Sequence, residues 1–186
     1  RERIALNYLQ LLSGIATETR KLADKVGIGK VAAMRKNHPL LAESEKRAVQ
    51  VGGGITHRLN LMDGILIKDN HLDFLRRKFI LTQAKAVELA VEMALKKRNG
   101  GKNKNLFVEV EVTNQNEAMA AGKTKTDAIL LDNMSPETVA KIVREIRKTN
   151  KTVAFEASGG ITPENAGQFI KAGADFVSMS HLAMKS

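Results

Sequence analysis

Apolar and polar positions follow two periods along this chain, and the changes between them mark out its elements. Ile4, Leu6, Leu9, Leu11, Leu12, Ile15 and Leu22 recur at roughly helical spacing, which predicts a helix over 2–26. Gly27 and Gly29 end it. Residues 30–34 read as a short strand, after which Pro39 opens a helix running to about residue 51. Residues 65–67 are a short buried strand, and 73–78 and 81–98 read as helical. Residues 106–112 alternate strictly. Phe107, Glu109 and Glu111 share one parity, and Val108, Val110 and Val112 share the other. That strand has a polar face, turned either to solvent or to a barrel interior. A short helix over 114–122 precedes a buried strand over 128–131 that ends in Asp132-Asn133. Ser135-Pro136-Glu137 starts the next helix with a capping residue, a proline at its first position and an acid in its first turn; it runs to about residue 148. A strand over 152–157 leads into Ser158-Gly159-Gly160, a helix runs from Thr162-Pro163-Glu164 to about 173, and 175–179 form the last strand.

These are about six βα units, and their alternation means a parallel α/β sheet. Polar residues at successive strand ends point further, to a TIM-like (β/α) barrel. A complete barrel needs about 250 residues, so 186 residues imply an incomplete one of about six to seven strands. The whole of 1–186 reads as one α/β-barrel domain, an excerpt or a processed chain, with no long-period repeat beyond the βα alternation itself.

Composition changes the picture in three ways. With no cysteine, disulfides, thiolate metal sites and a cysteine nucleophile are excluded, and the cytosol is the expected compartment. No apolar run approaches the length of a membrane span, and no signal peptide opens the chain. The net charge of +10 suits attraction to small, highly anionic substrates. Part of the excess, Lys96-Lys97-Arg98 with Lys102 and Lys104, reads as a solvated helix end and loop. One tyrosine and no tryptophan argue against nucleic-acid stacking.

Chemistry concentrates in 51–71, VGGGITHRLNLMDGILIKDNH. Gly52-Gly53-Gly54 permit positive φ and a close approach of backbone to a ligand. An apolar strand running straight into Lys68-Asp69-Asn70-His71 is costly unless those groups are solvated or bind something. Arg35, Lys36, His57, Arg58 and Lys68 end or follow separate early elements, and a barrel brings strand ends together. Converging cations suit a dicarboxylate, because arginine grips a carboxylate with two parallel hydrogen bonds. Glu111 and Asp132 are hard oxygen ligands at or near strand ends; a solvent-facing Glu and a helix-cap Asp are the plain alternatives. Ser158-Gly159-Gly160 ahead of a helix has the pattern of a phosphate cradle, with bare amides and the helix N-terminus facing the anion.

The segment GGGxxHRLxLxDxxLIKDNH resembles the central signature of the quinolinate phosphoribosyltransferases, the carboxylating nicotinate-nucleotide pyrophosphorylases. The likeness continues through Arg3, LSGIAT (12–17), Arg35-Lys36, VEVEV (108–112), ILLDN (129–133) and ASGGI (157–161), in the family's order and near its spacing. It implies a barrel domain that joins an N-terminal domain and a C-terminal tail outside these residues. It implies a quinolinate pocket of Arg35, His57, Arg58 and Lys68, with Arg3 entering from a neighbouring subunit of a homodimer or larger homo-oligomer. Glu111 and Asp132 would hold the ribose hydroxyls and the Mg2+ of phosphoribosyl pyrophosphate, and Ser158, Gly159 and Gly160 the 5-phosphate, with Ser180 nearby. Lys36, Lys68, Glu111 and Asp132 are the expected catalytic groups. The implied reaction is phosphoribosyl transfer to quinolinate with decarboxylation, a step of NAD biosynthesis. The chain departs from the family at Met34, Asn37, Ser180 and Met184, the last two standing where a glycine and a histidine are usual. Three rivals stay open: a related phosphoribosyltransferase for another anionic ring, a phosphate-binding βα-barrel lyase with Lys68 as Schiff base, and a polyanion-binding module.

Overall fold

The computed structural model describes residues 2–33, 38, 40–56, 64–101 and 104–179. Six parallel strands, β1 (Val31–Ala33), β2 (Gly64–Ile67), β3 (Phe107–Val112), β4 (Ala128–Asp132), β5 (Ala154–Ser158) and β6 (Phe176–Met179), lie in the order β1-β6-β5-β4-β3-β2. The sheet curls into part of a barrel, so the incomplete (β/α) barrel expected from the pattern is what forms. The helices are α1 (Glu2–Val26), α2 (Ala42–Val51), α3 (Asp69–Phe79), α4 (Gln83–Gly100), α5 (Gln115–Gly122), α6 (Pro136–Arg147) and α7 (Ala166–Lys171).

Strand parity divides the sheet. Val108, Val110, Val112, Ile129, Leu131, Phe155, Ala157, Val177 and Met179 join the helices in one apolar core. The opposite parity carries Glu109, Glu111, Leu130, Asp132, Glu156, Ser158 and Ser178 and faces the barrel interior. The polar face of β3 is therefore the interior one, and Glu109 is 1% exposed.

Several boundaries differ from the sequence reading for local reasons. Asp69, Asn70 and His71 are not a strand end; they form the first turn of α3, because extended Lys68 caps that helix and its N–H donates to His71 Nδ1 at 2.9 Å. Helix α2 begins at Ala42 rather than at Pro39. Helix α7 is only six residues long, because Asn165 binds the backbone ahead of it instead: its Oδ1 accepts from Thr162 N–H at 2.8 Å and its Nδ2 donates to the Gly160 carbonyl at 3.0 Å.

The triple glycine also serves a different purpose from the one its composition suggests. Only Gly53 has positive φ (93°). A Cβ on Gly52 would lie 2.5 Å from the Ala16 carbonyl oxygen, and one on Gly54 would lie 2.6 Å from Val49 Cγ1. These glycines let α1 and the end of α2 close on one another, with buried Thr19 between them.

At the N-terminal ends of the strands one device occurs twice. Asp127 Oδ2 accepts from Val108 N–H and from Arg98 of α4, both at 2.7 Å. Asp175 Oδ2 accepts from Phe155 N–H and from Arg147 of α6, both at 2.8 Å. Each aspartate ties the start of one strand to the preceding helix, and a charge-assisted pair of this kind is stronger than a neutral one.

Candidate active site

The site is built where β2, β3, β4 and β5 end, on the interior parity. Lys68 follows β2 directly, and its ammonium lies 3.4 Å from Glu111 Oε2. The lysine is held by its neighbours: its N–H is taken by His71 Nδ1, and its carbonyl accepts from the N–H groups of His71 and Leu72. Glu111 is the last interior residue of β3 and is mostly buried, its side chain 14% exposed. Burial pushes its carboxyl above the ordinary value of 4.5, since burial disfavours the charged form; Lys68 opposes this, while the Asp132 and Asp69 carboxylates push the same way. A mostly buried carboxylate, one lysine and two further acids thus lie within electrostatic reach of one another.

Asp132 ends β4 and pairs in register with Ser158 at the end of β5. Asn133 then turns the chain with φ 54°. Its N–H donates to the Ser158 carbonyl at 2.9 Å, and its Nδ2 donates to Asp132 Oδ2 at 2.7 Å. Gly159 and Gly160 follow with φ 84° and 62°, a consecutive left-handed pair that only glycine adopts freely. A Cβ on Gly159 would strike Asn133, whereas a Cβ on Gly160 would meet nothing within 4 Å. The Gly160 side of the loop is open. Among the described residues, the amides of Gly160 and Ile161 have no hydrogen-bond partner. The loop has the free donors of an anion cradle, but its backbone alone supplies them, because α7 starts six residues after Gly160.

The expected groups therefore fall into three sets. Lys68, Glu111, Asp132, Ser158, Gly159 and Gly160 come together at the strand ends. Arg3 stands apart, exposed in the first turn of α1, where every residue from 2 to 10 is exposed. Arg35, Lys36, His57, Arg58 and Ser180 lie outside the described residues, as do Met34, Asn37 and Met184.

Residues 15–186 match the family model described as "Quinolinate phosphoribosyl transferase, C-terminal domain". The chain belongs to the quinolinate phosphoribosyl transferase family. Among curated relatives, the probable nicotinate-nucleotide pyrophosphorylase [carboxylating] of Methanocaldococcus jannaschii is 40% identical over 189 residues, which cover 97% of this chain and 62% of that protein. The nicotinate-nucleotide pyrophosphorylase [carboxylating] of Homo sapiens is 35% identical over 97% of this chain and 58% of its own length. Of solved structures, NadC from Streptococcus pyogenes superposes with a TM-score of 0.80 at 36% identity, covering 98% of this chain and 59% of the other. The chain thus spans about three fifths of the length of such relatives.

Three residues of the site region escape sequence reasoning. Asn133 carries a weak signal, an Asn directly after an acidic strand end, where left-handed backbone is tolerated. Asn165 carries none, since a polar residue near a helix start is ordinary. Ser178 is 2% exposed, and among the described residues its Oγ has no hydrogen-bond partner; only knowledge of the register reveals that it shares the interior parity with Ser158 and Glu156.

Proposed function

We propose that this domain carries the catalytic centre of an enzyme that transfers phosphoribose from phosphoribosyl pyrophosphate to quinolinate and decarboxylates the product. The observation that carries this reading is the Lys68–Glu111 pair at 3.4 Å, at the end of strands that neighbour those ending in Asp132 and in the open Ser158-Gly159-Gly160 loop. A cation, two carboxylates and free backbone amides are the groups needed for an anionic ring, a ribose and a phosphate. Membership of the family supports the same assignment.

The quinolinate nitrogen attacks C1 of the ribose, the C1–O bond breaks, and its electron pair leaves with pyrophosphate. The bond from the ring to the 2-carboxylate then breaks, its electrons pass toward the cationic ring nitrogen, CO2 departs, and a solvent proton fills the vacated carbon. The product is nicotinate mononucleotide, a precursor of NAD. Lys68 stands ready for a carboxylate of quinolinate, assisted by Arg35, Lys36, His57 and Arg58, with Arg3 supplied by the partner subunit of a homo-oligomer. Glu111 and Asp132 orient the ribose hydroxyls and stabilise positive charge developing on the sugar. Ser158, Gly159 and Gly160 hold the 5-phosphate, and Ser180 contributes to the same phosphate site. Positioning and electrostatics supply most of the acceleration. No membrane-crossing helix occurs among the described residues, and a cytoplasmic setting suits the reaction.

Glu111 and Asp132 also fit Mg2+, which takes one or two carboxylates plus substrate phosphates. When bound, Mg2+ would neutralise charge on the departing pyrophosphate.

The test is CO2 release and nicotinate mononucleotide formation by the full-length gene product given quinolinate, Mg2+ and phosphoribosyl pyrophosphate. Stoichiometric release of both is expected. Turnover of a different anionic ring, with none of quinolinate, would move the assignment to a related transferase. Failure to bind either substrate would overturn it.

A further inference from the structure

We propose that Asn133 is a positioning residue that joins the ribose-binding carboxylate and the phosphate loop into one rigid unit. This rests on the reaction proposed above, which gives Asp132 and Ser158-Gly159-Gly160 their ligands. Three observations converge on Asn133. Its side-chain amide donates to Asp132 Oδ2 at 2.7 Å, fixing the carboxylate rotamer and leaving Oδ1 for a ligand. Its N–H donates to the Ser158 carbonyl at 2.9 Å, linking the β4 loop to the β5 loop. Its side chain occupies the space in which a Cβ on residue 159 would sit, so the asparagine here requires a glycine there. The left-handed φ of 54° explains the residue type: Asn tolerates it, and few other side chains with an amide donor do. Asn165 closes the far side of the same loop through the Gly160 carbonyl and the Thr162 N–H. The loop is held from both ends while its open edge stays free.

The side-chain role separates from the backbone role by substitution. Asn133→Gly keeps the φ and deletes the donor. Asn133→Asp keeps much of the left-handed tolerance but replaces the donor with a second carboxylate. Asn133→Ala loses the donor and strains the turn. Each variant of the full-length protein is measured for melting temperature, for KM of both substrates, and for Mg2+–phosphoribosyl pyrophosphate binding by calorimetry. For Asn133→Gly the expected result is an unchanged melting temperature and an unchanged quinolinate KM, with phosphoribosyl pyrophosphate bound about tenfold more weakly, the value of one hydrogen bond to a charged group. Asn133→Asp is expected to match it, and Asn133→Ala to melt lower as well. Wild-type binding by Asn133→Gly would overturn the proposal, as would losses for both substrates that track melting temperature. If the wild type binds phosphoribosyl pyrophosphate but makes no nicotinate mononucleotide, the reaction assignment falls while the calorimetry still decides Asn133. A wild type that binds no phosphoribosyl pyrophosphate overturns the positioning role itself.

Discussion

The two faces of the sheet are made by the same strands and obey opposite rules. On the helix side Val110, Ile129, Phe155 and Val177 are each 0% exposed and apolar. One residue away along each strand, the interior side holds Glu109, Glu111, Asp132, Glu156, Ser158 and Ser178. Stability comes from the first face, through apolar burial of roughly 25 cal/mol per Å2. The second face carries polar and charged groups, which are costly to bury unless they are paired. A strand in this fold is a device for keeping the two apart by a single residue.

Substitutions can break that division, and the largest effect should come from the helix side. Phe155→Ala empties a fully buried site and also removes the ring lying 4.8 Å from the Arg147 guanidinium. A loss of about 3–5 kcal/mol is expected in chemical denaturation, with any remaining folded protein still able to bind substrate. On the interior side the result should invert. Glu111→Gln is expected to lower kcat/KM about a hundredfold while leaving the denaturation midpoint at or above the wild-type value.

The pH dependence sharpens the same contrast. Because the Glu111 carboxyl titrates above 4.5 in the folded state, the folded chain binds its proton more tightly than the unfolded chain does. Its favourable contribution to stability is therefore complete below the ordinary value and is lost as pH rises through the elevated one. Activity that needs the ionised form should rise over that same window. The contributions of Glu111 to stability and to kcat/KM should therefore move in opposite directions with pH, and comparing the wild type with Glu111→Gln over that window should isolate both. The smallest effect is expected at Ser178. Its buried Oγ has no partner among the described residues, so Ser178→Ala should stabilise the domain by about 1 kcal/mol in the same denaturation experiment. A destabilised variant would mean that the hydroxyl does have a role in holding the interior together.

The division between faces was half legible in the sequence. The alternation in VEVEV announces both parities of β3, and Glu111, Asp132 and Ser158-Gly159-Gly160 can be found from strand ends alone. Which way the polar parity points cannot, because solvent and barrel interior accept the same residues. The triple glycine misleads for a related reason. Glycine signals a close approach, but local sequence does not name what approaches, and here it is the Ala16 carbonyl and Thr19 of α1 rather than a ligand. The start of α3 was missed because Lys68 and His71 cap it through a backbone-to-imidazole hydrogen bond, an arrangement outside the usual Ser, Thr, Asp and Asn signals. Asn133 is hard to read because its role depends on a left-handed turn and on Ser158 of the next strand, and Asn165 because its partners are backbone groups of the loop just before it.

The paired Arg98–Asp127 and Arg147–Asp175 clamps bear on how such a barrel changes over generations. They span 29 and 28 residues, and each holds a helix and the following strand in register from the end remote from the chemistry. Two alternate helix–strand pairs, α4 with β3 and α6 with β5, are thereby aligned independently of the loops at the opposite rim. Insertions, deletions and exchanges in those loops can accumulate without shifting the strands beneath them. A lineage carrying these clamps can explore new ligands with its rim while inheriting its scaffold intact.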